Sequence, residues 1–144
     1  MTHMAKRQPM TYLLARVPLF ADLSKRHLSH IASAADERIY HEGQVVVKAG
    51  DPGKAFYVIV NGRVKVGKGN RTEAELKSGD FFGELALLDG QARTRNVTAL
   101  TPLEVIRIER TAFRNLLRKE PNLAIGLLEG MARRTRKILD SPRA

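Results

Sequence analysis

The sequence predicts a mainly β protein with flanking helices. We expect an antiparallel β-roll (double-stranded jelly roll) with an N-terminal helical segment, one short internal helix and two C-terminal helices. Apolar residues recur at a helical period before residue 36 and after residue 110, and at a period near two in between. In that middle region, glycine-containing turns separate short apolar runs, as in sandwiches and jelly rolls. A length of 144 residues suits one domain with a hydrophobic core.

The N-terminal segment divides into a leader and an amphipathic helix. The stretch "MTHMAKRQPM" is polar and contains Pro9, so we expect residues 1–10 to be a disordered leader and residues 11–144 to form the domain. The pattern turns helical at Thr11. In the following helix "ADLSKRHLSHIASAA", Ser24 is available as the N-cap. The apolar residues at helical spacing there are Leu23, Leu28, Ile31 and Ala35.

The β-roll is expected over about residues 36–110. Asn61-Gly62, between "FYVIV" and "RVKV", is the strongest hairpin signal in the chain, because a type I′ turn needs positive φ at both central positions. A second strand pair, residues 96–100 and 103–108, is predicted across Thr101-Pro102.

The C-terminal helices are expected over about residues 111–140. Thr111 is a plausible N-cap for "AFRNLLRKE". Pro121 ends that helix and begins "PNLAIGLLEGMARRTRKILD", since proline suits the first helical turn. Pro142 is expected to end the second helix.

Composition narrows the class of protein. No cysteine is present, which excludes disulfides, thiol chemistry and cysteine-ligated metal clusters. No apolar run is long enough to span a bilayer and no signal peptide is evident, so a cytoplasmic location without membrane insertion is expected. A net charge of +10 favours an anionic partner, whether nucleic acid, a membrane surface or a small phosphate.

The stretch "FGELALLDGQARTRNVTA", residues 82–99, contains the candidate site. A one-turn helix is expected over residues 84–88, with Gly83 before it allowing a ligand close to the backbone. The free N–H groups of this turn and the guanidinium of Arg93 can together bind an anion such as phosphate. Glu84 can accept a hydrogen bond from a neighbouring hydroxyl. The alternative is that Glu84 and Arg93 form a partly exposed ion pair and that Leu85, Leu87 and Leu88 are ordinary core.

This stretch resembles the phosphate-binding cassette of cyclic nucleotide-binding domains, found in catabolite-activator-type regulators, cyclic-nucleotide-dependent protein kinases and gated channels. The shared pattern is Phe-Gly-Glu-Leu-Ala-Leu, a turn, then arginine, a small or hydroxyl residue and a Val-x-Ala strand. Similar matches are "VPLFADLS", "AFYVIVNGRVKV" and "MARRTRKIL", so the resemblance covers roughly residues 17–139. We call residues 82–99 the cassette.

The resemblance implies a role for each site residue. Glu84 would accept the ribose 2′-hydroxyl and Arg93 would pair with the cyclic phosphate. The backbone amides expected to complete the phosphate cradle are those of Gly83, Leu85, Ala86 and Thr94. The base is expected to contact Val64, Val66 and Leu85, with Ile138 and Leu139 at the end of the C-terminal helix covering it.

The resemblance favours cAMP as the ligand and leaves cGMP open. Thr94 lies where the family carries alanine, serine or threonine, and its hydroxyl can contact either the phosphate or a guanine amino group. Arg95 departs from the small residue common in the family. Strand alternation places Arg95 opposite Thr94, so we expect it to point outward.

Catalysis, a bound metal and a cofactor are not expected. A cupin-like enzyme, the main rival with a β-roll, needs clustered histidine and carboxylate ligands. The four histidines are His3, His27, His30 and His41. His27 and His30 fall on the predicted N-terminal helix, where we expect a satisfied or solvent-facing histidine and not a metal ligand. No catalytic triad, lysine-containing phosphate loop or paired-carboxylate motif is evident either.

The C-terminal helix suggests protein partners. Its basic residues are Arg133, Arg134, Arg136 and Lys137. We expect them to form a solvated face, with no DNA binding by this chain alone. The opposite face, at a/d spacing suited to a homodimer, carries Leu128, Met131, Thr135 and Ile138. An effector domain downstream is the other candidate partner. A nucleotide-independent scaffold or dimerisation domain of a transcription regulator is a further alternative, against which the intact Glu84 and Arg93 argue.

Overall fold

The computed structural model describes residues 9–140, in which eight strands are flanked by five α-helices and one 3-10 turn. The helices are α1 (Met10–Ala15), α2 (Lys25–Ser33), α3 (Ala86–Asp89), α4 (Arg110–Lys119) and α5 (Pro121–Asp140), and the 3-10 turn is Pro18–Phe20. The strands are β1 (Ala35–Tyr40), β2 (Val45–Val47), β3 (Ala55–Asn61), β4 (Arg63–Lys68), β5 (Arg71–Lys77), β6 (Phe81–Phe82), β7 (Asn96–Ala99) and β8 (Leu103–Glu109).

The strands form two four-stranded antiparallel sheets, with the orders β1-β8-β3-β6 and β2-β7-β4-β5. Strands that are adjacent in sequence therefore often belong to different sheets, which is how a jelly roll is wound. This arrangement confirms the predicted mainly β class with flanking helices.

The four strands predicted beside the two local turn signals form as β3, β4, β7 and β8, but the pairing predicted within each couple is wrong. The chain passes from one sheet to the other at Asn61-Gly62, and again at Thr101-Pro102, so neither pair is a hairpin. Gly62 has φ +105, but no non-glycine residue within 9–140, Asn61 included, has positive φ, which excludes a type I′ turn. The two crossings contact each other: a Cβ on Gly62 would lie 2.5 Å from the Pro102 carbonyl oxygen, and the Arg63 amide donates to Thr101 Oγ1 at 3.1 Å.

A hairpin forms one strand later in the chain, where β4 joins β5. Sequence reasoning did not identify β5, because six of its seven residues are exposed and its sequence, "RTEAELK", is mostly polar. It is an edge strand, paired only with β4 in its sheet. A strand with few core contacts carries little hydrophobic pattern.

Two hydrophobic clusters fill the domain. The first lies between the helices and the sheet containing β3, where the buried rings of Phe20, Phe56 and Phe113 pack at centroid distances of 5.9 and 6.0 Å. Leu123 and Leu127 join it, so the first half of α5 is held against the body of the domain. The second cluster fills the inside of the roll, between the two sheets.

The helix boundaries differ from expectation at several points. Ser24 caps α2 as predicted, with its Oγ accepting from the His27 amide at 3.2 Å. Ala35, placed in that helix by its spacing, instead begins β1. Thr111 is not an N-cap: α4 begins at Arg110, directly after β8, and its N-cap position is Glu109.

The predicted termini are only partly tested. Met10, placed in the leader, is the first residue of α1. The remaining leader residues 1–8, and Pro142, lie outside the described residues.

Candidate functional site

The cassette begins at the end of β6 and ends with β7. Glu84 and Leu85 form a turn and the helix itself, α3, spans Ala86–Asp89, two residues later at its start than predicted. The buried Leu87 ties α3 to the core, and Gly90 ends it with a left-handed φ of +65. A cavity of about 430 Å³ is lined by this turn, by α3 and by the loop that follows as far as Thr94.

Gly83 lets the backbone before α3 lie close to the side chain of Arg93. Its φ is +85, a conformation that favours glycine, and a Cβ there would lie 2.5 Å from Arg93 Nη1 and 3.0 Å from the Ala55 carbonyl oxygen. No larger side chain fits beside the guanidinium in this arrangement. The glycine of the motif therefore has a steric as well as a conformational cause.

The side chain of Arg93 points toward the start of β3. Its Nη2 donates to the carbonyl oxygen of Ala55, the first residue of β3. Its own backbone is fixed on both sides, with the Arg93 amide donating to Asp51 O and the Gly50 amide donating to Arg93 O, each at 2.8 Å. Burial lowers the pKa of Arg93, because desolvation disfavours the charged form, and nearby Tyr57 partly opposes this.

No ion pair joins Arg93 to a carboxylate within residues 9–140. The alternative of an exposed Glu84–Arg93 pair is therefore not what the structure contains. A half-buried guanidinium with a carbonyl as its hydrogen-bond partner retains free donors that an anion can use.

Glu84 is held by the N-terminal segment. Its Oε2 accepts a hydrogen bond of 2.9 Å from the backbone amide of Leu19, which lies in the 3-10 turn Pro18–Phe20. Leu19 is buried in the same cluster as Leu123 and Leu127 of α5. The two charged side chains of the motif thus both bond to backbone groups far from them in sequence.

The cassette amides fall into two groups. The Ala86 amide donates to Gly83 O at 3.2 Å, inside the turn. Within the described part of the chain, the amides of Gly83, Leu85 and Thr94 make no hydrogen bond, so they are free to donate to a ligand. Leu85, with 63% of its surface exposed, lines the same cavity.

Of the five residues expected to contact the base, only Leu85 lies at this cavity. Val64 is completely buried and Val66 packs beside it in the cluster inside the roll. Ile138 and Leu139, at the far end of α5, are 69% and 72% exposed. None of the four lines the cassette cavity, so their contact with a base stays a prediction.

A second cavity, of about 330 Å³, is also lined by Arg93. Lys48, Lys54 and Tyr57 line it, and sequence reasoning missed all three. Burial raises the pKa of Tyr57 to about 12, and its ring stacks on Phe82 at 4.8 Å, directly before Gly83. No motif could have indicated these residues, because only the fold brings β2 and β3 next to the cassette.

Thr94 is exposed at the rim of the cassette cavity. Arg95 turns away from it and pairs with Glu73 of β5, as strand alternation predicted. Its guanidinium also donates to the Thr94 carbonyl at 3.1 Å. The departure from the family pattern at Arg95 therefore leaves the cassette cavity unobstructed.

Metal-binding clusters and membrane-spanning helices are both absent from residues 9–140. These residues contain no group of three or more histidine, cysteine or acidic side chains placed to hold a metal ion. Among the same residues, no helix has both the length and the apolar character needed to cross a membrane.

The β-roll presents an arginine and backbone amides without internal partners at one cavity, an arrangement that can bind a small anion. Comparison with known proteins assigns the family. The family model described as cyclic nucleotide-binding domain matches residues 37–120. The chain belongs to the cyclic nucleotide-binding domain family, which confirms the resemblance found in the sequence.

The curated relatives include a regulatory subunit of a protein kinase and a protein kinase. A cAMP-dependent protein kinase regulatory subunit of Hypocrea atroviridis is 35% identical over 134 residues, covering 93% of this chain and 27% of that protein. A cGMP-dependent protein kinase of Caenorhabditis elegans is 36% identical over 121 residues, covering 79% and 16%. The chain thus spans about a quarter or less of these two curated relatives.

A solved structure has the same fold as this chain. The N-terminal domain of a transcriptional regulator from Streptomyces coelicolor A3(2) is 31% identical, with a TM-score of 0.79 over 89% of this chain and 93% of that one. The shared fold therefore extends over nearly the whole of both chains.

Proposed function

We propose that this domain is a non-enzymatic cytoplasmic sensor that binds a cyclic nucleotide, with cAMP as its ligand. The observation that carries the proposal is Arg93: a half-buried guanidinium that Gly83 keeps accessible, with no carboxylate partner among the described residues. A cyclic phosphate carries one negative charge, and arginine binds such an oxyanion through two parallel hydrogen bonds. The free amides of Gly83, Leu85 and Thr94 add neutral donors around it.

Arg93 and Glu84 both have hydrogen-bond partners inside the protein. Arg93 donates to Ala55 O, and Glu84 accepts from the Leu19 amide. Arg93 keeps further donors for the phosphate, and the Glu84 carboxylate can accept from the ribose hydroxyl through its remaining lone pairs. Bonds from the guanidinium to a phosphate oxyanion carry charge on both partners, so they are stronger than the bond to the neutral Ala55 carbonyl.

Calorimetry with cAMP and with cGMP tests the proposal. We expect a dissociation constant in the micromolar range or tighter for cAMP. The names of the relatives support both nucleotides, since one is a cAMP-dependent and the other a cGMP-dependent kinase. A cGMP-selective sensor is therefore the second candidate, and Thr94 at the cavity rim is the residue that would contact a guanine amino group. Absence of heat and of a thermal shift with either nucleotide at millimolar concentration would remove the proposal.

Glu84→Ala is expected to weaken cAMP binding by about 1.5–3 kcal/mol, the range for a hydrogen bond to a charged group. Glu75→Ala is the matched control, because Glu75 is a surface carboxylate paired with Arg63 and away from the cassette cavity. The discriminating ligand is 2′-deoxy-cAMP. Glu84 does not hold the ribose if the wild-type protein binds this analogue as tightly as cAMP.

We propose further that α5 carries the signal to partners. Its first half is fixed in the core by Leu123 and Leu127, while the apolar side chains at its far end are exposed and able to cover a bound base. Gly130 follows the fixed part directly and Gly126 lies within it, and both lower the helix propensity of α5. Ligand binding would then order the second half of α5 over the cavity.

Hydrogen exchange checks this role of α5. We expect cAMP to slow amide exchange in residues 127–139 as well as in the cassette, and truncation after Gly130 to weaken binding while the β-roll stays folded. The roll should survive because Leu123 and Leu127 precede the cut. Protection confined to residues 83–94, with normal binding by the truncated chain, would mean that α5 is no lid.

The partner surface that we propose lies on the same helix. Leu128 and Ile138 are exposed as expected for a homodimer contact, whereas Met131 packs partly against the core. The exposed residues that instead continue an a/d series are Ile125, Leu128, Ala132, Thr135 and Leu139. A second copy or a downstream effector domain is the partner for this face.

A further inference from the structure

The second cavity, of about 330 Å³, is bordered mainly by positive charge. Lys48 directly follows β2 and Lys54 directly precedes β3, so the loop between these strands brings both lysines to the cavity. Arg93 of the cassette is the third cation in its wall, and Asp51 is the one carboxylate among the described residues that line it. Three positive charges against one negative charge favour an anion in this cavity.

Backbone contacts hold the loop and the cassette together beside the cavity. The Gly50 amide donates to Arg93 O and the Arg93 amide donates to Asp51 O, each at 2.8 Å. A Cβ on Gly53 would lie 2.4 Å from Gln91 O, so the loop also packs closely against the cassette. The backbone positions of the two lysines relative to Arg93 are therefore fixed, which lowers the entropy cost of gathering three cations around a ligand.

No internal carboxylate neutralises these cations. Among residues 9–140, none lies within ion-pair distance of Lys48, Lys54 or Arg93. Burial raises the pKa of Tyr57 to about 12, so the tyrosine that lines the cavity adds no negative charge at neutral pH. Like charges around one cavity repel one another, and an anion between them relieves that repulsion.

Arg93 borders both this cavity and the cassette cavity. Its Nη2 donates to the carbonyl oxygen of Ala55, which lines the second cavity. The proposed function places the cyclic phosphate in the cassette cavity, against the same guanidinium. An anion on the loop side would compete for the donors of Arg93 and would repel a second anion on the cassette side.

We propose that the cavity bordered by Lys48, Lys54 and Arg93 binds a phosphate dianion, which opposes the binding of a cyclic nucleotide. The first charge of a dianion can pair with Arg93 while the second pairs with a lysine, and a cyclic phosphate, with its single charge, cannot use both. Inorganic phosphate and a small phosphate monoester both carry this dianion. Phosphate binding stands by itself, whereas its opposition to a cyclic nucleotide rests on the proposed function.

Thermal unfolding without nucleotide tests the phosphate site. The buffers contain inorganic phosphate, glycerol phosphate or sodium chloride at one ionic strength, at a pH where both phosphates are mainly dianions. We expect both phosphates to raise the melting temperature of the wild-type protein above its value in chloride. The larger of the two rises identifies free phosphate or the monoester as the better ligand.

Paired lysine variants isolate the site. Lys48→Gln with Lys54→Gln should lose most of the phosphate-specific rise, whereas Lys68→Gln with Lys77→Gln, at two exposed lysines outside the cavity, should keep it. Phosphate also stabilises folded proteins generally by its exclusion from their surfaces, but this effect acts on both double variants alike. An equal rise in the two double variants, or no rise in the wild-type protein, would overturn the proposal.

NMR on isotope-labelled wild-type protein locates the anion without any variant. Phosphate should shift the amide signals of residues 46–55 and the Nε signal of Arg93 more than the amide signals of residues 83–86. Shifts confined to residues 83–86 and Thr94 would place the phosphate in the cassette cavity and would also overturn the proposal.

Calorimetry with cAMP in phosphate and in chloride tests the competition. At a phosphate concentration about four times its own dissociation constant, simple competition raises the apparent dissociation constant of cAMP about fivefold. The ratio between the two buffers should fall to near one when Lys48 and Lys54 are both glutamine. Equal cAMP affinity of the wild-type protein in the two buffers would refute the opposing role. If the wild-type protein binds no cyclic nucleotide, the proposed function fails, and thermal unfolding still decides whether the cavity binds phosphate.

Discussion

Replacing Arg93 with alanine is expected to remove most of the affinity for cAMP. Truncating one partner of a buried, hydrogen-bonded charge pair costs about 2–5 kcal/mol, which corresponds to roughly a 30- to 4,000-fold weaker dissociation constant. The ligand-free fold should tolerate the change. Burial lowers the pKa of Arg93, so the charged side chain is desolvated in the free protein and its removal relieves that penalty.

Two further variants locate the effect in the guanidinium. Arg93→Lys should restore little binding, because lysine keeps the charge but lacks the planar fork that binds phosphate oxygens in pairs. Arg95→Ala, which removes an arginine two residues away that pairs with Glu73, should bind cAMP nearly as wild type. Calorimetry on all three decides. Near-wild-type binding by both Arg93 variants would assign Arg93 a structural role only.

The jelly-roll class was predictable because it depends on period and spacing, but strand partners were not. Asn61-Gly62 carries the local signal of a hairpin turn, and Gly62 does have positive φ. What decides the pairing is a distant contact, the packing of Gly62 against Pro102 where the chain changes sheets. A local turn signal thus locates a reversal or corner and leaves the partner strand undetermined.

The cassette was predictable because its residues are contiguous. Gly83, Glu84 and Arg93 all lie within one short stretch, and the structure brings them to one cavity. Their present hydrogen-bond partners, Ala55 O and the Leu19 amide, are backbone groups. Every residue carries such groups, so no sequence pattern can indicate which of them will meet the site.

Gly83→Ala is expected to weaken cAMP binding by about as much as Arg93→Ala, roughly 2–5 kcal/mol, although both charged residues remain. The new methyl group would lie only 2.5 Å from Arg93 Nη1, so the guanidinium must move away from the turn that precedes α3. The closest clash is with the end of a flexible side chain, which can shift, and the Ala55 carbonyl oxygen at 3.0 Å needs to give by only a few tenths of an ångström, so we expect the domain to fold. Binding suffers because the phosphate needs the guanidinium and the cassette amides together.

The strained backbone must be separated from the clash, and Gly43→Ala does so. Gly43 has φ +86, almost the same as the +85 of Gly83, but no atom lies within 4 Å of the position its Cβ would take. An alanine at positive φ costs about 1–3 kcal/mol at either position, so urea unfolding should show similar losses of stability in the two variants. Only Gly83→Ala should then lose affinity in calorimetry. If both variants bind cAMP equally well, Arg93 does not need the space that Gly83 leaves, and the phosphate must be held in another arrangement.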